Sequence, residues 1–208
     1  MDTIKSLLIT VLMVISGQMS IAQGQKRFSS SILLGGGVFV ESDSYINHNP
    51  GITTRLEYGL GIGLDDSWSI MPGLGYMLSL SDINMRQVEG KDHDYFECID
   101  MFCLARRGIN VNKAKMYIGF GPQLSVNIGR PDKYFINADI TDPRNGLRRF
   151  KQWNLSVIPN ATFLLWNHWL IGLEGNIGLR NMMIQYPEYN TTGRVHFFHL
   201  LLTTGFQF

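Results

Sequence analysis

Arg55, Glu57, Glu97, Lys115, Glu174 and Arg180 are charges of both signs set inside stretches that alternate apolar and small residues. Each falls on the small, non-apolar side of its stretch. Opposite charges on one side of neighbouring extended segments can pair, so these six predict an internal ion-pair network. The other candidates for chemistry give weaker patterns. His196 and His199 are three apart on one extended stretch, so they face opposite sides and cannot share a metal ion. Asp92, His93 and Asp94 sit in a polar segment, where such triplets arise by chance. No metal or cofactor is expected. A serine hydrolase needs its serine beside a histidine and an acid, and no serine lies near His196 or His199 in sequence. The glycines recur at every second residue and belong to strands, so they form no phosphate-binding loop. No catalytic residue is expected, and the chain is read as no enzyme.

The elements that position these charges are extended. From Leu56 to Leu64 and from Trp68 to Leu80 the chain alternates strictly, split by Asp65, Asp66 and Ser67. Period two, broken by turn residues, predicts a β-hairpin. Its strands pass ten residues, where globular strands average about five or six. Similar stretches follow the hairpin and precede it. They run over about 28–40, 93–106, 113–128, 153–165, 169–180 and 194–208. The fourth of the eight is irregular: Phe96, Cys98, Phe102 and Leu104 share a face with Asp100. An acid among apolar residues marks a bulge, an error of register, or a functional site. Cys98 and Cys103 differ in parity, so they lie on opposite faces and remain free thiols.

Eight strands are predicted, with connections that alternate long and short. The long ones fall near 41–50, 81–92, 129–150 and 181–193, the short ones near 65–67, 107–112 and 166–168. Trp68, Tyr117, Trp166 and Trp169 sit beside the short turns, with Phe206 and Phe208 at their level. Trp153, Tyr186 and Tyr189 sit near the long connections. An up-and-down barrel in an outer membrane has that alternation and two such aromatic belts. Pro72, Pro122 and Pro159 are awkward inside strands, because proline donates no ladder hydrogen bond; bulges would accommodate them.

Composition bounds the alternatives. The 208 residues are one domain by length, and a net charge of +1 gives no polyanion-binding surface, so nucleic acid is not an expected partner. Residues 1–22 read as a cleavable signal peptide: Lys5, an apolar run from Leu7 to Ile15, then Ser20-Ile21-Ala22. That run is too short to span a bilayer as a helix. No cysteine follows the cleavage site, which argues against a lipoprotein anchor. Residues 23–208 form the barrel domain. A soluble ligand-binding barrel keeps its apolar face inside and its charges outside, and it would be extracted without detergent. Here the apolar faces are almost free of charge, which no wet exterior would be. The expected fold is therefore all-β: an eight-stranded antiparallel up-and-down transmembrane β-barrel.

The closing stretch adds a separate signal. Leu200, Leu202, Thr204, Phe206 and Phe208 alternate, in the manner of the C-terminal strand that barrel-assembly machinery reads by strand addition. Several short motifs then point the same way. They are Met71-Pro72-Gly73-Leu74-Gly75-Tyr76, Tyr95-Phe96-Glu97 and Tyr117-Ile118-Gly119-Phe120-Gly121-Pro122. With the signal peptide, they make the chain resemble the outer-membrane β-barrel proteins of Bacteroidetes, the PorT-like group of small porin-family barrels. Many members follow the Tyr-x-Glu with an apolar residue and proline, where this chain has Ile99-Asp100. The resemblance implies the barrel and the bacterial outer membrane, and little about activity.

The expected role follows from barrel width. Eight strands leave room for side chains and none for an aqueous channel. The lumen should be plugged by Arg55, Glu57, Glu97, Lys115, Glu174 and Arg180, with external loops serving a structural or binding role in the envelope. The alternatives are a narrow pore or secretion-apparatus subunit, as in one branch of the similar group, and a lipid-modifying enzyme. Arg148, Arg149 and Lys151 cluster where the longest connection meets the sixth strand. They are expected to touch lipopolysaccharide phosphates at the outer rim.

Overall fold

The computed structural model describes residues 28–43, 48–81, 94–112, 114–128, 151–182, 184 and 194–208. The proposed signal peptide lies outside them, as do Arg148, Arg149, Tyr186 and Tyr189. Eight strands follow in chain order. They are β1 (Phe28–Asp43), β2 (His48–Gly63), β3 (Trp68–Ser81), β4 (Asp94–Val111), β5 (Ala114–Asn127), β6 (Trp153–Leu165), β7 (Trp169–Gly178) and β8 (Val195–Gln207). Each pairs antiparallel with the next, and β8 returns to pair with β1, so the sheet closes into a barrel. Closure leaves no strand edge, the condition for β-structure to stand in hydrocarbon.

Which side of each strand faces out decides the solvent. Leu202 is 65% exposed, while its neighbour Leu201 is 0% exposed. The same contrast circles the barrel. Leu34, Ile52, Leu56, Leu74, Ile118, Phe120, Leu155, Ile171 and Leu173 are all exposed, while Arg55, Glu57, Asp100 and Glu174 are buried. Soluble monomers rarely expose apolar patches beyond a few hundred Å². A continuous apolar belt around a charged interior is the arrangement of a barrel whose solvent is lipid.

The three turns at one end explain themselves locally. Between β2 and β3 the Asp65 carboxylate accepts hydrogen bonds from the backbone N–H of Ser67 and of Trp68, both at 2.7 Å. Those donors hold its pKa below the ordinary carboxylate range. Between β4 and β5, Val111 pairs with Ala114, and Asn112 takes a left-handed φ of 54°, a conformation asparagine tolerates better than most residues. Between β6 and β7, Trp166 and Asn167 both have positive φ.

Several sequence expectations shift here. Arg107 to Val111 are strand rather than turn, paired with Ile118 to Ala114. Their polar, glycine-containing composition imitates a loop. The first connection covers only residues 44–47, because Val40 to Ser42 pair with Pro50 to His48. Tyr117 is not in the outer belt: it packs inward against Leu33, Leu164 and Leu170. The prolines need no bulges. Pro72 interrupts the β2–β3 ladder, Pro122 the β4–β5 ladder and Pro159 the β6–β7 ladder, and register is unchanged across every gap. Each remains paired on its other side, opposite Cys103, Val157 and Phe120 respectively. A missing donor thus costs two paired positions on one side and none on the other.

Candidate functional site

The lumen is filled in layers, and Arg55 is the centre of the charged one. Odd residues of β2 point inward, which buries Thr53, Arg55 and Glu57 in succession. The Arg55 guanidinium then reaches three strands. Its Nη1 donates to Glu174 on β7. Its Nη2 lies 3.3 Å from Glu57 on its own strand, and its Nε lies 3.5 Å from Asp100 on β4. The same group sits 5.2 Å from the centroid of the Phe102 ring. Gly75 on β3 leaves the space for this, since a Cβ there would come within 3.1 Å of the Arg55 Nε. One cation therefore faces three carboxylates. Arg106 is the second buried cation, stacked 4.9 Å from the Tyr117 ring centroid.

Apolar layers lie on both sides of this polar one. Toward the long connections, Phe39, Met77, Phe96, Cys98, Met182, Val195 and Phe197 form one cluster. Phe39 stacks on His199 with ring centroids 4.8 Å apart, and His199 meets Ser79 Oγ at 3.2 Å. Met71, Phe102, Leu104 and Ile158 form a second cluster. Leu33, Leu164 and Leu170, with Tyr117, close the short-turn end. The cavity bounded by Phe39, Phe96, Phe197, Ser125, Asn176 and His199 measures about 20 Å³, room for roughly one water. Among the described residues, these layers fill the interior, and much of the filling is apolar rather than charged.

The six charges expected to form one network divide. Arg55, Glu57 and Glu174 are together. Glu97 is not among them: it lies on the outward side of β4, near the strand's start, and accepts a hydrogen bond from the Tyr76 hydroxyl. Lys115 lies at the short-turn end, with its ammonium 5.3 Å from the Tyr117 ring centroid. Arg180 lies past the end of β7 at the opposite rim, where its Nη1 donates to the Trp153 carbonyl at 3.0 Å. Alternation assigns a face to each charge but no height along the barrel axis, and these three differ from Arg55 in face or in height.

Among the described residues, Asp100, Arg106 and His199 are the buried acidic, basic and imidazole side chains that the six-residue network omitted. Asp100 carried a signal, as an acid on a face otherwise read as apolar. Even residues of β4 point inward, so Phe96, Cys98, Phe102 and Leu104 fill the lumen beside it. Ile99 and Met101 point outward instead. Cys98 is buried and Cys103 exposed, both as free thiols, in agreement with their opposite parity. His196 and His199 likewise separate, since only His199 is buried. Among the described residues, no group of three or more His, Cys, Asp or Glu side chains could hold a metal ion.

The two terminal phenylalanines sit on the outward face at the short-turn level. Phe206 packs edge-on against Trp169 at 4.8 Å. Phe208 exchanges backbone hydrogen bonds with Ser30 of β1, at 2.8 and 3.1 Å. Of the proposed rim cations, Lys151 is described: its Nζ donates to the Asn181 carbonyl at 2.8 Å.

No family model and no curated protein matches the chain. Several solved structures are similar in overall path. Ail, the attachment invasion locus protein of Yersinia pestis, aligns with a TM-score of 0.49 at 13% identity, covering 88% of this chain and 99% of that one. Neisserial surface protein A aligns with a TM-score of 0.49 at 12% identity, covering 87% and 97%. The outer membrane enzyme PagL aligns with a TM-score of 0.46 at 10% identity, covering 86% and 97%. The strand count and closure of the present barrel stand on its own ladders.

Proposed function

We propose that the chain is a bacterial outer-membrane barrel with a closed lumen, acting at its external side as a structural or binding component of the envelope. The observation that carries this is the filled interior: the Arg55 ion-pair layer lies between apolar clusters, with a cavity of about 20 Å³ beside it. The apolar belt supports the membrane, and the signal peptide read in residues 1–22 supports export to the outer one. The resemblance to PorT-like barrels of Bacteroidetes fits the same location. In this reading the partners are outer-membrane lipid, lipopolysaccharide and, during biogenesis, the barrel-assembly machinery, which meets the strand carrying Phe206 and Phe208. No catalytic residue, cofactor or nucleic acid enters it.

The test is electrical. Purified protein inserted in a planar bilayer should give no steady single-channel current. Large, steady currents would overturn the closed lumen and favour a narrow pore or a secretion subunit. The absence of fatty-acid release from labelled lipopolysaccharide would separate the same reading from a lipid-modifying enzyme.

A further inference from the structure

At the outer rim two cations are held side by side by backbone carbonyls. Lys151 precedes β6; its backbone N–H donates to the Met182 carbonyl at 2.8 Å and its ammonium to the Asn181 carbonyl at 2.8 Å. Arg180 follows β7; its guanidinium donates through Nη1 to the Trp153 carbonyl and sits over the Trp153 ring, 3.3 Å from the centroid. The two charges feel each other: partial burial first, then repulsion from Arg180, lowers the Lys151 pKa. Among the described residues neither has a carboxylate within ion-pair distance; the ion pairs there belong to Arg55. Like charges fixed together without a counter-ion are a cost unless an anion joins them.

The chemistry of that anion follows from the side chains. A guanidinium has five N–H donors in a planar fork suited to phosphate, and an ammonium adds a point charge. The described contact of Arg180 uses Nη1, which leaves its other edge to serve a ligand. The Trp153 ring that orients it is 46% exposed on the lipid-facing side of β6. Tryptophan there sits at the headgroup level of a membrane. A phosphate reaching this place from the surrounding leaflet meets both cations without leaving the lipid.

We infer that Lys151 and Arg180, with Arg180 oriented by Trp153, form a binding notch for the phosphate of an outer-leaflet lipid. The inference rests on the envelope reading and adds Arg180 and Trp153 to the expected rim. It also makes the Arg180 position meaningful, since that residue is absent from the lumenal network.

The test uses the full mature protein in detergent, with bound lipid counted by native mass spectrometry. The probes are bisphosphorylated lipid A, its dephosphorylated form, and inorganic phosphate. Wild type should retain lipid A and not the dephosphorylated form. The K151Q/R180Q variant should bind lipid A about tenfold or more weakly, the worth of a charge-assisted hydrogen bond. Inorganic phosphate at about 10 mM, several orders above a micromolar lipid, should not displace it. Equal retention of lipid A by variant and wild type would overturn the site. Displacement by inorganic phosphate would overturn the lipid as its source. Should the double variant fail to fold, R180K keeps the charge and loses the planar fork, and several-fold weaker retention is expected of it; unchanged retention counts against the site. W153F keeps a ring under Arg180 and should retain lipid A. These outcomes are independent of channel currents, so a conducting barrel with an intact rim site would sink the closed lumen alone.

Discussion

The Arg55→Met variant is expected to lose about 3–5 kcal/mol of folding free energy, the cost of removing one partner from a buried ion pair. The reason lies in the count around it. Glu57, Asp100 and Glu174 all pair with this one guanidinium, and each has a side chain no more than 3% exposed. Methionine fills much of the same volume and supplies no charge or donor. Three carboxylates are then left in a filled lumen. The readout is urea unfolding of the protein folded into phospholipid vesicles, followed by the heat-dependent mobility of the barrel on gels. R55M should unfold at markedly lower urea. The combined variant R55M/E57Q/D100N/E174Q removes the stranded charges together and should recover much of the loss. An R55M midpoint equal to that of wild type would mean the pairs are not formed, and the lumenal layer would have to be redrawn.

The second large effect is expected on the opposite face. Leu202→Arg places a cation on the outward side of β8, opposite Leu173 of β7 and well inside both strands. Near the bilayer midplane such a charge costs about 2–4 kcal/mol, falling to about 0–1 near the interface. Leu80→Arg, one residue from the end of β3 on the same outward face, supplies the interfacial comparison. The difference between the two variants in the same vesicles isolates depth from the change of side chain. In water both positions are exposed, and an arginine at either would cost little. Equal, small effects at 202 and 80 would therefore contradict a hydrocarbon environment.

The sequence carried the faces of seven strands, because small or polar residues alternate there with apolar ones. It failed on β4 for a physical reason. A barrel this narrow must fill its interior with side chains, and the layers flanking Arg55 are apolar. Phe96, Cys98, Phe102 and Leu104 supply those layers from β4. The rule that apolar means lipid-facing therefore inverts on the strand that contributes most to the plug. Asp100 was the residue that betrayed the inversion. Partnership among the charges was less legible. Glu57 and Glu174 meet Arg55 because β2 and β7 bring them to one height. Lys115 and Arg180 lie at opposite ends. Strand stagger around a barrel sets those heights, and one chain's alternation does not encode it. The proposed rim pair is half legible: Lys151 stands out as part of a basic cluster, while parity counted past the end of β7 puts Arg180 in the lumen.

The proposition that the outward side chains rest against acyl chains is open to one direct measurement. Nitroxides are attached at L56C, L74C, L173C and L202C, and at T53C and N176C, after Cys98→Ser and Cys103→Ser remove the native thiols. Their collision rates with oxygen and with a water-soluble nickel chelate are then compared in vesicles. The four outward labels should collide often with oxygen and seldom with nickel, and the two inward labels seldom with either. Outward labels that collide freely with nickel would place those leucines in water, and the barrel would not be a membrane protein.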